Sequence, residues 1–255
     1  PQFIDLTPPG PQPLAEEAAA GLQARPARLP PKFFYDALGS RLFDAITELP
    51  EYYPTRTEAA ILVQHRDAIA AAVHAAVGRG ATLIDLGAGS CAKAAGLFAA
   101  FGTGRYVAVD ISAGYLQGTL QRLQQCHPGV EMVGVGLDFS ARLALPPALV
   151  TGPALVFYPG SSIGNFAPDA ALRLLRQAHA VAAGGALLVG VDRVKSTAVL
   201  EAAYDDALGV TAAFNLNLLR HLNRLIGSDF EVRQWRHVAR YDRAASRIEM
   251  QLQAR

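Results

Sequence analysis

Between Ala81 and Asp192 the chain alternates short, almost uniformly apolar runs with longer stretches in which apolar side chains recur at helical spacing. The apolar runs predict strands near 82–86, 105–110, 129–135, 153–159 and 185–191, with helices in the intervals. None of these runs alternates enough to present a wet face. The pattern therefore predicts an α/β fold, a parallel sheet covered on both sides, with ligands at the carboxyl ends of the strands. Upstream, helices are predicted over 14–24, 32–48 and 56–77; the second carries Phe33, Phe34, Leu38, Leu42, Phe43 and Ile46 on one face. Downstream, helix is predicted over 196–226 with an interruption near Gly209, followed by strands over 229–241 and 246–254. In the last of these Ile248, Met250 and Leu252 alternate with Glu249, Gln251 and Gln253, which gives one buried and one wet face. The change of pattern divides the chain into a core over 58–192 and a smaller α+β domain made of 1–57 and 193–255. Ten of the 16 prolines precede residue 55, so the N-terminal segment reads as an extended arm punctuated by short helices.

Composition narrows the partners. With 255 residues and 51% hydrophobic side chains the chain can bury a sizeable core. Lys and Arg number 23 against 22 Asp and Glu, and a net charge of +1 offers no surface for nucleic acid. A small-molecule partner and a monomer are expected. The charge-free stretch 143–168 contains Pro146, Pro147, Gly152, Pro153, Pro159 and Gly160, which would break a spanning helix, so no membrane segment is expected. The sequence opens at Pro1 with no basic-then-apolar signal segment, and the expected location is cytoplasmic. Cys91 and Cys126 form no CxxC pair and read as free thiols, Cys91 as a small packing residue beside a loop. The six histidines show no ligand spacing, and no metal is expected.

The chemistry concentrates in Thr82-Leu83-Ile84-Asp85-Leu86-Gly87-Ala88-Gly89-Ser90-Cys91-Ala92-Lys93 and Tyr106-Val107-Ala108-Val109-Asp110-Ile111-Ser112. Strand, glycine turn, helix, strand and acidic residue in that order suit a nucleotide-derived cofactor. Gly87 and Gly89 let the backbone approach the ligand, and Asp110 can accept both hydroxyls of a ribose. Dinucleotides and S-adenosylmethionine both fit this geometry. After the third strand, Asp138 could accept an adenine amino group while Phe139 packs on the ring; the plainer alternative is a cap and a core aromatic. After the fourth, Gly160-Ser161-Ser162-Ile163-Gly164-Asn165 offers hydroxyls and a carboxamide to a polar ligand, with Asn165 the favoured contact.

The stretch Lys32-Phe-Phe-Tyr-Asp-Ala-Leu-Gly-Ser-Arg-Leu-Phe-Asp-Ala-Ile-Thr-Glu-Leu-Pro-Glu-Tyr-Tyr-Pro-Thr-Arg-Thr-Glu58 closely resembles the histidine-specific Nα-methyltransferases of ergothioneine biosynthesis. The likeness continues through the glycine loop with Lys93, Val109-Asp110-Ile111, Asp138-Phe139, residues 159–165, Ala203 to Asn215, and Ile248-Glu249-Met250. It implies a Rossmann-like class I methyltransferase core that binds S-adenosylmethionine, and afterwards its product S-adenosylhomocysteine, through Gly87, Lys93, Asp110, Asp138 and Phe139. By matching position, Tyr52 and Met250 would face the imidazole of L-histidine, Asn165 and Tyr204 would hold its carboxylate, and Tyr35 with Gly160 would lie near the amine. Tyr35 is the candidate for orienting the amine for in-line attack, up to the trimethyl betaine.

Two departures from the family pattern stand out. Ser90-Cys91-Ala92 precedes Lys93 where the family usually has a serine or threonine with an acidic residue. The family's chain also continues past the Ile-Glu-Met strand, supplying an acidic residue and a serine to the imidazole, whereas this sequence stops at Arg255. The expectation is a cap domain cut short at its C-terminal end, or a pocket completed in another way. Each missing charge-assisted hydrogen bond would be worth roughly 1.5–3 kcal/mol. Three alternatives accompany the histidine reading: the same chemistry on another amino acid such as a tryptophan derivative, a cofactor-binding module inactive without the missing segment, and a nicotinamide dehydrogenase sharing the fold.

Overall fold

A computed structural model describes residues 1–8 and 10–255; Pro9, one of the ten N-terminal prolines, lies outside the described residues. In chain order the elements are β1 (Gln2–Asp5), α1 (Gln12–Gln23), α2 (Ala37–Thr47), α3 (Tyr53–Gln64), α4 (Arg66–Val77), β2 (Thr82–Leu86), α5 (Ala92–Ala95), α6 (Phe98–Phe101), β3 (Arg105–Asp110) and α7 (Ala113–Cys126). They continue with β4 (Glu131–Gly136), β5 (Ala154–Tyr158), α8 (Pro168–Val181), β6 (Ala186–Val189), α9 (Thr197–Tyr204), α10 (Val210–Ile226), β7 (Trp235–Asp242) and β8 (Arg247–Ala254). The chain divides into two compact units, residues 1–7 with 57–192 and residues 8–56 with 193–255.

The first unit holds a six-stranded sheet in the order β1-β4-β3-β2-β5-β6, parallel at every pairing. Successive side chains of each strand point to opposite faces, so each apolar run feeds two cores. Leu83, Tyr106, Ala108, Met132, Leu155 and Phe157 pack with α4, α5, α6 and α7. Ile84, Val107, Val109, Val133, Val135 and Val156 pack on the other face with Leu174 and Ala178 of α8 and with Leu143 and Leu149. Full burial of each large apolar side chain contributes about 1.5–3 kcal/mol. From β2 the chain steps outward to β3 and β4, then returns to place β5 on the other side of β2. That reversal opens a crevice outside the carboxyl ends of β2 and β5, the place where open α/β sheets bind ligands.

Two features depart from the sequence expectation. Residues 1–7 belong with the sheet and not with the second unit, because Gln2–Asp5 pairs with β4 from Val133 to Gly136. A four-residue strand flanked by prolines carries no periodicity of its own; its partner lies some 130 residues away, and only the packed sheet reveals it. The expected single helix over 56–77 is two helices, α3 and α4, divided at His65. No proline or glycine marks that junction, whereas Pro54 in the first turn explains why α3 begins earlier, at Tyr53.

In the second unit the expected helix over 32–48 is a 3₁₀ turn, Pro31–Phe34, followed by α2. Asp36 caps α2 by accepting the Gly39 amide at 2.7 Å. A Cβ on Gly39 would lie 1.7 Å from the Phe34 carbonyl oxygen, so the tight passage from 3₁₀ turn to helix requires glycine. Asp36 also accepts from Asn217 of α10 at 2.8 Å and pairs with Arg224, which ties α2 to α10. The two C-terminal strands form an antiparallel hairpin in register from Trp235↔Ala254 to Asp242↔Arg247. β7 starts later than the run over 229–241 suggests, because Val232–Gln234 is a 3₁₀ turn.

Gly134 of β4 has no room for a side chain: a Cβ there would meet both Phe3 of β1 and Leu120 of α7 at 2.6 Å. Gly134→Ala is expected to lower unfolding stability by about 1–3 kcal/mol, and by less in a Phe3→Ala background, because the aromatic ring is one of the two obstacles. Urea unfolding of the four proteins in this cycle measures the coupling; strict additivity would contradict the packing assigned to β1.

Candidate active site

At the end of β2 the chain turns through Gly87 (φ +72°) and Gly89 (φ +51°), backbone conformations that disfavour other residues. The Gly87 and Ala88 amides donate to the Val109 carbonyl at 2.8 and 3.2 Å, prolonging the β2–β3 pairing into the loop. Asp110 closes the arrangement. Its Oδ2 accepts the Gly89 amide at 2.9 Å and its Oδ1 the Ser112 amide at 2.8 Å. These amides hold the carboxylate in a fixed place beside the glycine loop. Burial pushes the Asp110 carboxyl up, against the opposing effect of the Ser112 and Gly89 amides. The two glycines of the loop and the fixed carboxylate fit a nucleoside ribose.

Phe139 approaches the same loop. Its ring would lie 3.7 Å from a Cβ on Gly87, and it meets Tyr158 edge-on at 5.9 Å. Asp138 is a turn residue, its Oδ1 accepting the Ser140 amide at 3.0 Å and the Ser140 hydroxyl. Gly160, with φ +79°, follows β5, and Asn165, exposed, ends the 3₁₀ turn Ser162–Asn165. Lys93, at the start of the segment after the glycine loop, reaches Gly160: a Cβ there would lie 3.5 Å from Lys93 Nζ. The structure thus brings Gly87, Phe139 and Asp110 together around one loop and Lys93 with Gly160 beside it.

Sequence reasoning gave no role to two groups at this place. Glu58 of α3 pairs with Lys93 Nζ at 2.5 Å and accepts the Gly160 amide at 2.7 Å. It stands 35 residues before Lys93 and 102 before Gly160, so no local motif could join them. Asp85, on β2, is 2% exposed. Its Oδ2 accepts the Tyr106 hydroxyl at 2.7 Å, while its Oδ1 has no hydrogen-bond partner. Burial pushes its carboxyl up to about 7 despite that bond and despite Lys93. Cys91 is buried beside them, and burial pushes its thiol up to about 12, which makes it a packing residue and not a nucleophile.

The residues expected to contact substrate from the second unit meet in one aromatic cluster. Tyr52 contacts Tyr204 and Phe43 edge-on at 5.9 and 6.2 Å, Tyr35 contacts Phe43 and Phe214 at 5.5 and 5.8 Å, and Met250 packs against the same core. Burial, then the neighbouring Tyr204 and Tyr35, hold the Tyr52 hydroxyl well above its ordinary pKa, so it remains neutral. His237 of β7, dismissed as a ligand on sequence grounds, anchors this cluster from behind. The Asn215 amide nitrogen lies 2.8 Å from its Nδ1 and 3.1 Å from the Gln251 carbonyl, so Nδ1 accepts and Nε2 donates to the Tyr204 carbonyl at 2.8 Å.

A parallel sheet with a glycine turn after one strand and a fixed acid after the next is the Rossmann-like arrangement shared by dinucleotide-binding folds and class I methyltransferases, and the family match selects the second. The family model described as histidine-specific methyltransferase, SAM-dependent, matches residues 14–255, and the chain belongs to that family. It is 43% identical over 247 residues to a histidine N-alpha-methyltransferase of Mycolicibacterium smegmatis, covering 95% of this chain and 75% of that protein. A histidine N-alpha-methyltransferase of Mycobacterium tuberculosis is 42% identical over 246 residues, 94% of this chain and 74% of the relative. Ergothioneine biosynthesis protein 1 of Neurospora crassa is 33% identical over 227 residues, 85% of this chain and 25% of that longer protein.

The raised Asp85 carboxyl makes a signed prediction. Its folded pKa of about 7 lies above the ordinary 3.8, so the folded state holds this proton more tightly than the unfolded chain. The stability it allows is complete below about pH 4, declines as pH rises toward 7, and is level above. Asp85→Asn is expected to remove that decline, so that variant-minus-wild-type stability rises by roughly 1–3 kcal/mol between pH 5 and pH 8 in urea unfolding.

Proposed function

We propose that the protein transfers methyl groups from S-adenosylmethionine to the α-amino nitrogen of L-histidine, up to the trimethyl betaine required for ergothioneine biosynthesis. The observation that carries this reading is the histidine-specific family match over residues 14–255. The cofactor, when bound, supplies a methyl group activated by a sulfonium. Gly87, Asp110, Asp138, Phe139 and Lys93 are assigned to it: Asp110 for the ribose hydroxyls, Phe139 and Asp138 for the adenine, and Lys93 for the amino-acid end.

On the second unit, Tyr204 is assigned to the substrate carboxylate, Tyr52 and Met250 to the imidazole, and Tyr35 to the amine. The amine must be uncharged to attack, and a protein lowers an amine pKa by desolvating it and by keeping anions away. The cluster suits that task. Its polar groups are tyrosine hydroxyls, and burial keeps Tyr52 neutral, so it can orient a ligand by hydrogen bonds without offering a negative charge. Methylation by this route depends on positioning, with the nitrogen held in line at about 3–3.5 Å from the reacting carbon.

Separate roles for the two residue sets predict separate losses. Asp110→Ala is expected to weaken S-adenosylhomocysteine binding at least about tenfold, since two hydrogen bonds to a charged group are lost. Tyr204→Phe is expected to weaken L-histidine about three- to tenfold and leave S-adenosylhomocysteine within about twofold. Titration calorimetry with each ligand measures both, and equal losses of both ligands in both variants would refute the assignment. Mass analysis of products from a panel containing L-histidine and L-tryptophan tests the substrate: the histidine betaine is expected, and methylated tryptophan alone would overturn the histidine assignment.

A further inference from the structure

The carboxylate of Glu58 gathers the carboxyl ends of three strands. One oxygen accepts the Gly160 amide after β5 at 2.7 Å, and the other pairs with Lys93, beyond the β2 loop, at 2.5 Å. At Gly190, the residue after β6, a Cβ would sit 2.0 Å from Glu58 Oε1. At Gly160 a Cβ would come within 3.5 Å of Lys93 Nζ. The Glu58 carboxylate therefore occupies space that Gly190 leaves open, with Lys93 in contact distance of Gly160, at the switch point of the sheet. The Glu58 side chain is 16% exposed and that of Lys93 31%, so the pair is only partly removed from water and one side remains accessible.

A part-buried ion pair is a poor device for stability, because desolvation cancels much of the attraction. It is a good device for holding charge in a fixed place. An ammonium has three donors and a carboxylate about four acceptor sites; Lys93 gives one donor to Glu58, and Glu58 uses two of its acceptors on Lys93 and Gly160. The remainder, donors on one group and acceptors on the other, complements a zwitterion.

We propose that Glu58 is a positioning residue for the amino-acid end of the cofactor: it fixes Lys93 so that the free ammonium donors receive the α-carboxylate, and it keeps the place electrically neutral so that a zwitterion is preferred to a simple anion. This inference rests on the cofactor reading above. It gives a purpose to the last residue of the Lys32–Glu58 stretch, which that reading leaves without a role.

The test compares two ligands that differ only at the end in question. S-adenosylhomocysteine carries the zwitterionic end; 5′-methylthioadenosine lacks it and keeps the adenine, ribose and sulfur. Titration calorimetry on wild type, Glu58→Gln, Lys93→Met and the double variant is expected to show S-adenosylhomocysteine weakened about tenfold in each single variant. The double variant should lose clearly less than the product of the two, and 5′-methylthioadenosine should stay within about twofold throughout. Glu58→Asp keeps the charge but withdraws it, and is expected to fall between wild type and Glu58→Gln for S-adenosylhomocysteine alone; it serves in place of Glu58→Gln if the latter fails to fold. Equal weakening of both ligands would mark Glu58 as merely structural and overturn the proposal, as would unchanged S-adenosylhomocysteine binding in the Glu58 variants. Failure of wild type to bind S-adenosylhomocysteine at all would instead refute the cofactor reading, and this inference with it.

Discussion

A parallel sheet packed on both faces leaves almost no place for charge except the ends of its strands, since an ion taken from water costs several kcal/mol unless it is paired. The first unit obeys this constraint closely. Along β2 to β5 the inward positions are filled mostly by Leu, Ile, Val, Met and aromatic side chains, and the charged groups stand at or near strand ends, Arg105 and Glu131 at the amino ends and Asp85 and Asp110 toward the carboxyl ends. Asp110, Glu58 and Lys93 all bear on the titration of Asp85, so these groups share one electrostatic neighbourhood. Lys93 brings positive charge into a group of carboxylates that would otherwise repel one another. Asp85, hydrogen-bonded to the Tyr106 hydroxyl, has its carboxyl pushed up to about 7 by burial.

The second unit solves a different problem with different means. Its core around Tyr35, Tyr52 and Tyr204 is aromatic, and side chains of the neighbouring segments fix it by hydrogen bonds. Asp206 caps α10 through the Val210 and Thr211 amides at 2.9 and 2.7 Å, and His237 grips the last carbonyl of α9. Both lie immediately beside Tyr204, so the ring stands on a short segment restrained at its carbonyl and at the following helix.

Some of this was open to reading along the chain and some was not, for reasons of distance. The glycine loop, Lys93 and Asp110 are legible because strand, turn and strand follow one another within thirty residues, and each residue type has a conformational or hydrogen-bonding reason to be there. The tyrosines are ambiguous on composition alone, since a buried phenol usually packs; the resemblance singled them out, and the structure gathers Tyr35, Tyr52, Tyr204 and Met250 into one core. Glu58 and His237 had no such signal. A glutamate on a helix and a histidine on a strand look like surface residues until the partners 35, 102 and 33 positions away are known.

The sequence by itself determined the class of the fold, because apolar runs of strand length separated by helical periodicity can be buried in few ways other than a covered parallel sheet. It also placed a glycine turn and an acidic residue at successive strand ends, because strand, turn and strand follow one another locally. Tertiary structure alone decided that Gln2–Asp5 completes the sheet beside β4, that the helix predicted over 56–77 divides at His65, and that Glu58 joins Lys93 to Gly160. Those outcomes depend on free energies of contacts between residues far apart in the chain, and no periodicity in the chain records which distant groups will meet.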